Sequence, residues 1–254
     1  MLPYITLLNR KFPMYAICMV IGILLSSYIA CRRAKKSGKD ENSLIVIVTC
    51  AVVLGLIGAK LLYMFVTHGF VHSLRQLAAG NLSLLAENGL VFYGGLIGGI
   101  AGAFLGAWIA REKISSYFDA AVPCIALGHA FGRLGCFFAG CCYGMPCEGP
   151  LCVSFPAAGI PYATFPVQLL EMAINLGIFA FLSHYTGKAN RRYNTLALYL
   201  VIYAVVRFIL EFFRGDLIRG FSGGLSTSQW ISIGLFVISG GLLLLCTSKG
   251  KERT

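Results

Sequence analysis

The chain has 254 residues, of which 57% are hydrophobic and only 12% charged, and its mean hydropathy is +0.78. That composition excludes a water-soluble globular domain and a disordered chain alike, and points to an integral membrane protein. The net charge of +11 does not point to nucleic acid, because the basic residues sit on short loops between apolar runs, where anionic lipid accounts for them.

Seven apolar runs follow one another, at about 14–31, 44–66, 90–110, 117–137, 166–185, 195–213 and 228–246. Each comes close to the roughly 20 helical residues that a hydrocarbon core requires. The expectation is an all-α protein of seven transmembrane helices in a single domain over residues 1–254. The first run has no small-residue cleavage site and leads directly into Cys31-Arg-Arg-Ala-Lys-Lys36, so it is expected to stay as a helix rather than be removed as a signal peptide. The loops at 31–43, 111–116, 186–194 and 247–254 hold thirteen Lys and Arg, against five (Arg10, Lys11, Arg75, Arg214, Arg219) on the opposite side. The positive-inside rule then puts the N-terminus outside and the C-terminus in the cytoplasm. The long outer connection at about 138–165 is rich in Gly, Pro and Cys, with Glu148 almost its only charge, and is expected to pack back onto the bundle. No inverted repeat suggests a transporter.

Three basic residues remain inside the runs: Lys60, Arg133 and Arg207. A charge at the bilayer centre costs at least ~2.5–3.5 kcal/mol, so an intramembrane arginine faces a polar cavity or an anionic partner as a rule. Tyr203, Arg207, Glu211 and Arg214 share one helical face. By this count two arginines meet one glutamate, leaving a positive charge that a phosphate would balance; the structural alternative is an internal ion pair. Two guanidiniums from different helices suit bidentate phosphate recognition. Lys60 is expected to snorkel or pair locally. His129, one turn before Arg133, is a candidate base or a satisfied structural histidine. The glycines from Asn88 to Gly99 admit close approach of a helix or a lipid chain.

Of ten cysteines, five (Cys136, Cys141, Cys142, Cys147, Cys152) crowd the end of the fourth run and the following loop. On an oxidising face they suggest one or two disulfides whose pairing stays open, although neighbouring Cys141 and Cys142 are not expected to pair with each other. Cys136 or Cys141 beside Arg133 is a candidate nucleophile. No metal is expected, since the loop has no histidine and no doubled Cys-x-x-Cys. A quinone-linked thiol oxidoreductase would want a small four-helix bundle and a tight Cys-x-x-Cys, neither of which is present.

Taken together, five motifs resemble the prolipoprotein diacylglyceryl transferase family. Gly58-Ala-Lys-Leu-Leu-Tyr63 is similar to its Gly-x-Arg-x-x-Tyr, and Asn88 to Gly99 to its Gly-Gly-x-x-x-His-Gly-Gly-x-x-Gly. Pro166-Val-Gln-Leu-Leu-Glu171 is similar to its His-Pro-x-Gln-x-Tyr-Glu, Arg207 to Asp216 to its Arg-x-x-x-Glu-x-x-Arg-x-x-Asp, and Leu225 to Gln229 to its Leu-Ser-x-x-Gln. The resemblance implies an enzyme of the bacterial inner membrane, active near the outer leaflet, that moves the diacylglyceryl group of phosphatidylglycerol onto the lipobox cysteine of a prolipoprotein, releasing glycerol phosphate without a cofactor.

By the same resemblance Arg133 and Arg207 hold the phosphate, Tyr15 and Tyr203 lie near the headgroup, Glu211 orients Arg207, and Arg214, Cys136, Gly94 and Gly95 line the substrate site. The sequence departs from the family's pattern at Cys136, Ala139 and Cys141 within Gly132–Cys141, at Tyr93 in place of a histidine, and at Phe165 in place of another. These departures leave three readings open. The first is a transferase in which Tyr93 or His129 acts as base; the second is a same-fold enzyme with another acceptor. The third is a non-catalytic lipid-binding or thiol-redox membrane protein.

Overall fold

The computed structural model describes residues 3–7, 10–80, 89–186, 192–215 and 220–251. Asn88, Asp216 and Arg219, singled out in the sequence, lie outside the described residues. Among those described, seven helical segments are long and apolar enough to cross a membrane: Met14–Lys36, Glu41–His68, Phe92–Ile109, Ile114–Ala139, Val167–Thr186, Asn194–Phe213 and Thr227–Cys246. All seven sequence-derived spans are present. The chain divides into two compact units, residues 1–33 with 118–254, and residues 34–117.

The smaller unit is built on α2 (Glu41–His68) and α4 (Phe92–Ile109), with the short α3 (Phe70–Ala78) between them. Lipid tails supply no hydrophobic drive for helix pairing, so close backbone packing has to supply it instead. The glycines do this. A Cβ on Gly98 would collide with the Leu54 carbonyl, one on Gly102 with the Cys50 carbonyl, and one on Gly94 with the Gly58 carbonyl. Lys60 lies 5.1 Å from the centre of the Tyr63 ring, a local cation–π contact. Helix α3 was not expected, since its nine residues are too few to span; Gly69, at φ 84°, makes the break before it.

The larger unit opens with the hairpin β1 (Tyr4–Leu7) and β2 (Arg10–Pro13), Tyr4 opposite Pro13, which leads into α1 (Met14–Lys36). Its remaining helices are α5 (Phe118–Ala139), α6 (Val167–Thr186), α7 (Arg192–Leu210) and α8 (Thr227–Lys251). Helix α5 packs along α6 and touches α7, and α7 packs along α8. Val122, Ala126, Ile178, Leu182 and Tyr199 form the apolar core of the first three. Gly128, Gly132 and Gly135 of α5 turn toward α1, where an added Cβ would meet Ser26 Oγ at 3.3 Å, Met19 Sδ at 3.4 Å and Tyr15 Cδ2 at 3.0 Å.

The connection between α5 and α6 is stitched to the end of α7. Met145 N–H donates to the Phe213 carbonyl at 2.9 Å and Gly215 N–H to the Tyr143 carbonyl at 3.1 Å, while Gly144 N–H reaches the Phe165 carbonyl at 3.0 Å. Gly144 has no room for a side chain between the Phe165 and Phe213 carbonyls. Within the loop, β3 (Val153–Ser154) pairs with β4 (Ala163–Thr164), and Cys147 is bonded to Cys152. The loop thus packs back as its lack of charge implied.

Asp40 caps α2, accepting hydrogen bonds from Ser43 N–H at 2.8 Å, Ser43 Oγ at 2.7 Å and Asn42 N–H at 3.2 Å. The Ser43 hydroxyl first, then the Ser43 and Asn42 amides, hold its carboxyl below the usual carboxylate range. Because the folded value is the lower one, the cap contributes fully above the ordinary aspartate range near ~3.9 and is lost as pH falls through the folded value. Thermal melts in detergent between neutral and acid pH should therefore show Asp40→Ala less stable than the parent at neutral pH, with the two converging in acid.

Candidate active site

The polar centre of the larger unit is made by helices that are otherwise apolar. On α5, His129, Arg133 and Cys136 follow one another at helical spacing on one stripe, next to the glycine stripe that packs on α1. Arg133 Nε lies 3.0 Å from Glu171 Oε1 of α6, and this carboxylate is almost fully buried. The same Nε is 3.3 Å from His129 Nε2, which in turn is 3.6 Å from Glu171 Oε1. The Nε–H points at His129 Nε2, while Glu171 Oε1 receives no hydrogen bond and answers Arg133 through charge at 3.0 Å. The imidazole is wedged between this ion pair and Tyr203, whose ring centre is 5.2 Å away.

The second guanidinium is placed by local sequence. Arg207 Nη2 pairs with Glu211 Oε2 at 3.0 Å, one turn on, where α7 tightens into a 3₁₀ turn over Glu211–Phe213. It also donates to Ser228 Oγ at 3.1 Å. Ser228 is positioned by a capping box at the start of α8: Gln229 N–H donates to Ser226 Oγ at 3.2 Å and Ser226 N–H to Gln229 Oε1 at 2.9 Å. The Leu-Ser-x-x-Gln stretch therefore builds a helix start that delivers Ser228 to Arg207. The other terminal nitrogen, Arg207 Nη1, is buried and makes no hydrogen bond. A different face of α7, that of Ala204, Val205, Phe208 and Ile209, lines an apolar groove of about 250 Å³ against Ser232, Ile233 and Phe236 of α8.

A third group gathers at the end of α5. Gly140, at φ 71°, terminates the helix, Cys141 N–H donates to the Cys136 carbonyl at 3.1 Å, and Gln168 Nε2 holds the Cys141 carbonyl at 2.9 Å. Cys142 adopts φ 57°, a left-handed conformation uncommon outside glycine. As a result the sulfurs of Cys136, Cys141 and Cys142 all lie within 4.8 Å of one another. The Cys142 thiol is held well below its usual range by hydrogen bonds from Cys136 and Cys141, and then by the charges of Arg214 and Arg133.

The sequence profile described as prolipoprotein diacylglyceryl transferase matches residues 4–245. The chain belongs to this family. It is 34% identical over 248 residues to phosphatidylglycerol–prolipoprotein diacylglyceryl transferase 2 of Clostridium perfringens, covering 96% of this chain and 93% of that one. It is 35% identical to the phosphatidylglycerol–prolipoprotein diacylglyceryl transferase of Clostridium tetani, with 92% and 94% covered. The protein of that name in Bordetella bronchiseptica is 32% identical, with 94% and 92% covered.

Within this member of the family, Arg133, His129, Tyr203, Arg207 and Glu211 fall in one unit, together with Tyr15 and Arg214. Tyr15, the second residue of α1, lies against Gly135, and Arg214 bridges to Gly144. Tyr93, Gly94 and Gly95 belong to the other unit, where Tyr93 is half exposed and edge-on to Phe92, while Gly94 and Gly95 pack on α2. Cys147 and Cys152 form a disulfide, whereas Cys136, Cys141 and Cys142 are free thiols.

Glu171, quoted in a motif but given no role in the sequence, balances Arg133 just as Glu211 balances Arg207. The sequence held the signal, a carboxylate in the first turns of an apolar run, but gave no means of pairing it across helices. Gln168 and Ser228 were missed for the same reason. Removing one partner of a buried pair strands the other charge at a cost of about 3–5 kcal/mol. Glu171→Ala should therefore depress the melting temperature in detergent sharply, and the double variant Arg133→Met with Glu171→Met should recover most of the loss.

Proposed function

We propose that this protein transfers the diacylglyceryl group of phosphatidylglycerol to the lipobox cysteine thiol of a prolipoprotein. The observation that carries this reading is the pair of buried guanidiniums, each paired with its own carboxylate, with Arg207 Nη1 left without a hydrogen bond, on a helix whose neighbouring face lines an apolar groove. A phospholipid has the complementary parts: an anionic phosphodiester for the guanidiniums and an acyl chain for the groove.

The chemistry explains why paired arginines suit the task. The acceptor sulfur attacks the glyceryl carbon that bears the phosphate, the C–S bond forms as the C–O bond breaks, and the electron pair leaves on phosphate oxygen. The phosphodiester carries one negative charge and the departing monoester two, so fixed cations bind the transition state more strongly than the substrate. Glu171 and Glu211 keep the guanidiniums in place before the charge develops, which removes the cost of reorganising them at that moment. His129 supports this by packing against the Arg133–Glu171 pair, and Tyr15, Tyr203 and Arg214 line the headgroup region.

The same reading places the site near the outer leaflet of the cytoplasmic membrane, with the N-terminus outside. The excess of Lys and Arg on alternate loops supports it. A phosphatase reporter fused after Thr254 should then be inactive, while one that folds only in the cytoplasm should be active; the opposite pair of results would reverse the topology.

Purified protein incubated with labelled phosphatidylglycerol and a lipobox peptide should yield a peptide heavier by one diacylglyceryl group. Arg133→Ala and Arg207→Ala should each lower the rate by about 10²–10³-fold, the loss typical of removing a fixed charge stabiliser. Lipid that binds and stays intact in the presence of the peptide would instead favour an enzyme with another acceptor.

A further inference from the structure

The convergence of Cys136, Cys141 and Cys142 is not needed to hold the fold together. The loop already has a disulfide at Cys147–Cys152 and a row of backbone hydrogen bonds to Phe165 and Phe213. Nor is it a by-product of a regular helix end, because adjacent residues normally point apart. Only the left-handed turn at Cys142 lets both neighbours face Cys136, and such conformations persist where the surroundings impose them, often at functional sites. The surroundings here are Gln168 on the Cys141 carbonyl and the bridge between Gly144 and Arg214.

Three sulfurs within 4.8 Å of one another match the donor set of a thiophilic divalent ion. Zn–S bonds of about 2.3 Å in a tetrahedron put the sulfurs about 3.8 Å apart, within reach of small side-chain rotations. Three protein ligands also describe an incomplete shell: structural zinc sites close with four, whereas sites that do chemistry keep the fourth position for water or substrate. Cys141 is exposed and the other two are half-buried, so the group opens outward. Three thiolates around Zn²⁺ leave one net negative charge; Arg133 lies one turn before Cys136 on α5, and Arg214 bridges to Gly144, two residues after Cys142.

We propose that Cys136, Cys141 and Cys142 form an open three-thiolate zinc site whose fourth position takes the acceptor cysteine and presents it as a thiolate to the lipid held by Arg133 and Arg207. This deepens the transferase reading and rests on it. Coordination releases the acceptor S–H proton to solvent, because a metal-bound thiol is deprotonated outright. The bound sulfur then forms the C–S bond as the glyceryl C–O bond breaks, and glycerol phosphate departs with the electron pair. The thioether product is a far weaker ligand than the thiolate and leaves the metal. Arg133, three residues before Cys136 on α5, ties the two halves of the reaction to one helix.

The test uses full-length protein in detergent, reduced and loaded with Zn²⁺ or Co²⁺. About one metal ion per chain should bind, and Co²⁺ should show sulfur-to-metal charge transfer with the visible bands of a tetrahedral site. Cys136→Ser, Cys141→Ser and Cys142→Ser should each lower metal affinity at least about tenfold, while Cys246→Ser should not. A lipobox peptide should shift the cobalt spectrum, and the same peptide with serine for cysteine should leave it unchanged. Reduced protein that binds no metal, or binds it equally in the three serine variants, overturns the site; a cobalt spectrum indifferent to the thiol peptide overturns the role in activating the acceptor. Transfer that proceeds in metal-free protein removes the zinc proposal and leaves the transferase reading intact. A thiol-dependent cobalt shift without transfer from phosphatidylglycerol does the reverse.

Discussion

Two arginines inside membrane-spanning helices set the terms for the larger unit. Neither is tolerable alone in a low-dielectric interior, and each is answered by one carboxylate, Arg133 by Glu171 and Arg207 by Glu211. The pairs neutralise the helices without satisfying every donor, since Arg207 Nη1 remains unmatched. A binding site for an anion arises in this way from a requirement of burial: the carboxylate pays for the arginine's presence and also fixes its direction.

The remaining architecture serves to hold those directions. The glycine stripe on α5 brings α1 against the face next to Arg133, which sets Tyr15 beside Gly135. The capping box of α8 turns Ser228 onto Arg207. The loop between α5 and α6, sewn to the end of α7 at Phe213 and Gly215, links the cysteine turn to the segment that carries Glu211 and Arg214. None of these devices depends on hydrophobic burial, which is of little use between helices in lipid; they rely on small residues and directional hydrogen bonds.

Helix existence was plainly legible in the sequence, because a membrane allows few alternatives to long apolar helices. The intrahelical pair was legible too, since Arg207 and Glu211 are four residues apart. Contacts between helices were not. Glu171 stood in a quoted motif, yet its partner 38 positions earlier could be found only once α5 and α6 were laid side by side. The cysteine group shows a different limit: Cys136, Cys141 and Cys142 are close in sequence, but their convergence depends on the left-handed backbone at Cys142, which no residue pattern announces. Helix α3 and the opening hairpin were missed because both are too short to produce a span-length signal.

The contrast between the two ion pairs bears on how the protein enters the bilayer. Arg207 carries its counter-charge on the same helix, so α7 can partition into lipid as a nearly neutral segment. Helix α5 cannot, because among the described residues its arginine is matched by a carboxylate of α6. With at least ~2.5–3.5 kcal/mol at stake for an unmatched arginine at the bilayer centre, the favoured route is for α5 to wait at the insertion machinery until α6 has been synthesised and for the two to leave as a hairpin. The connection between them, at 140–166, has Glu148 as its one charged residue, so it adds little to the cost of moving such a hairpin.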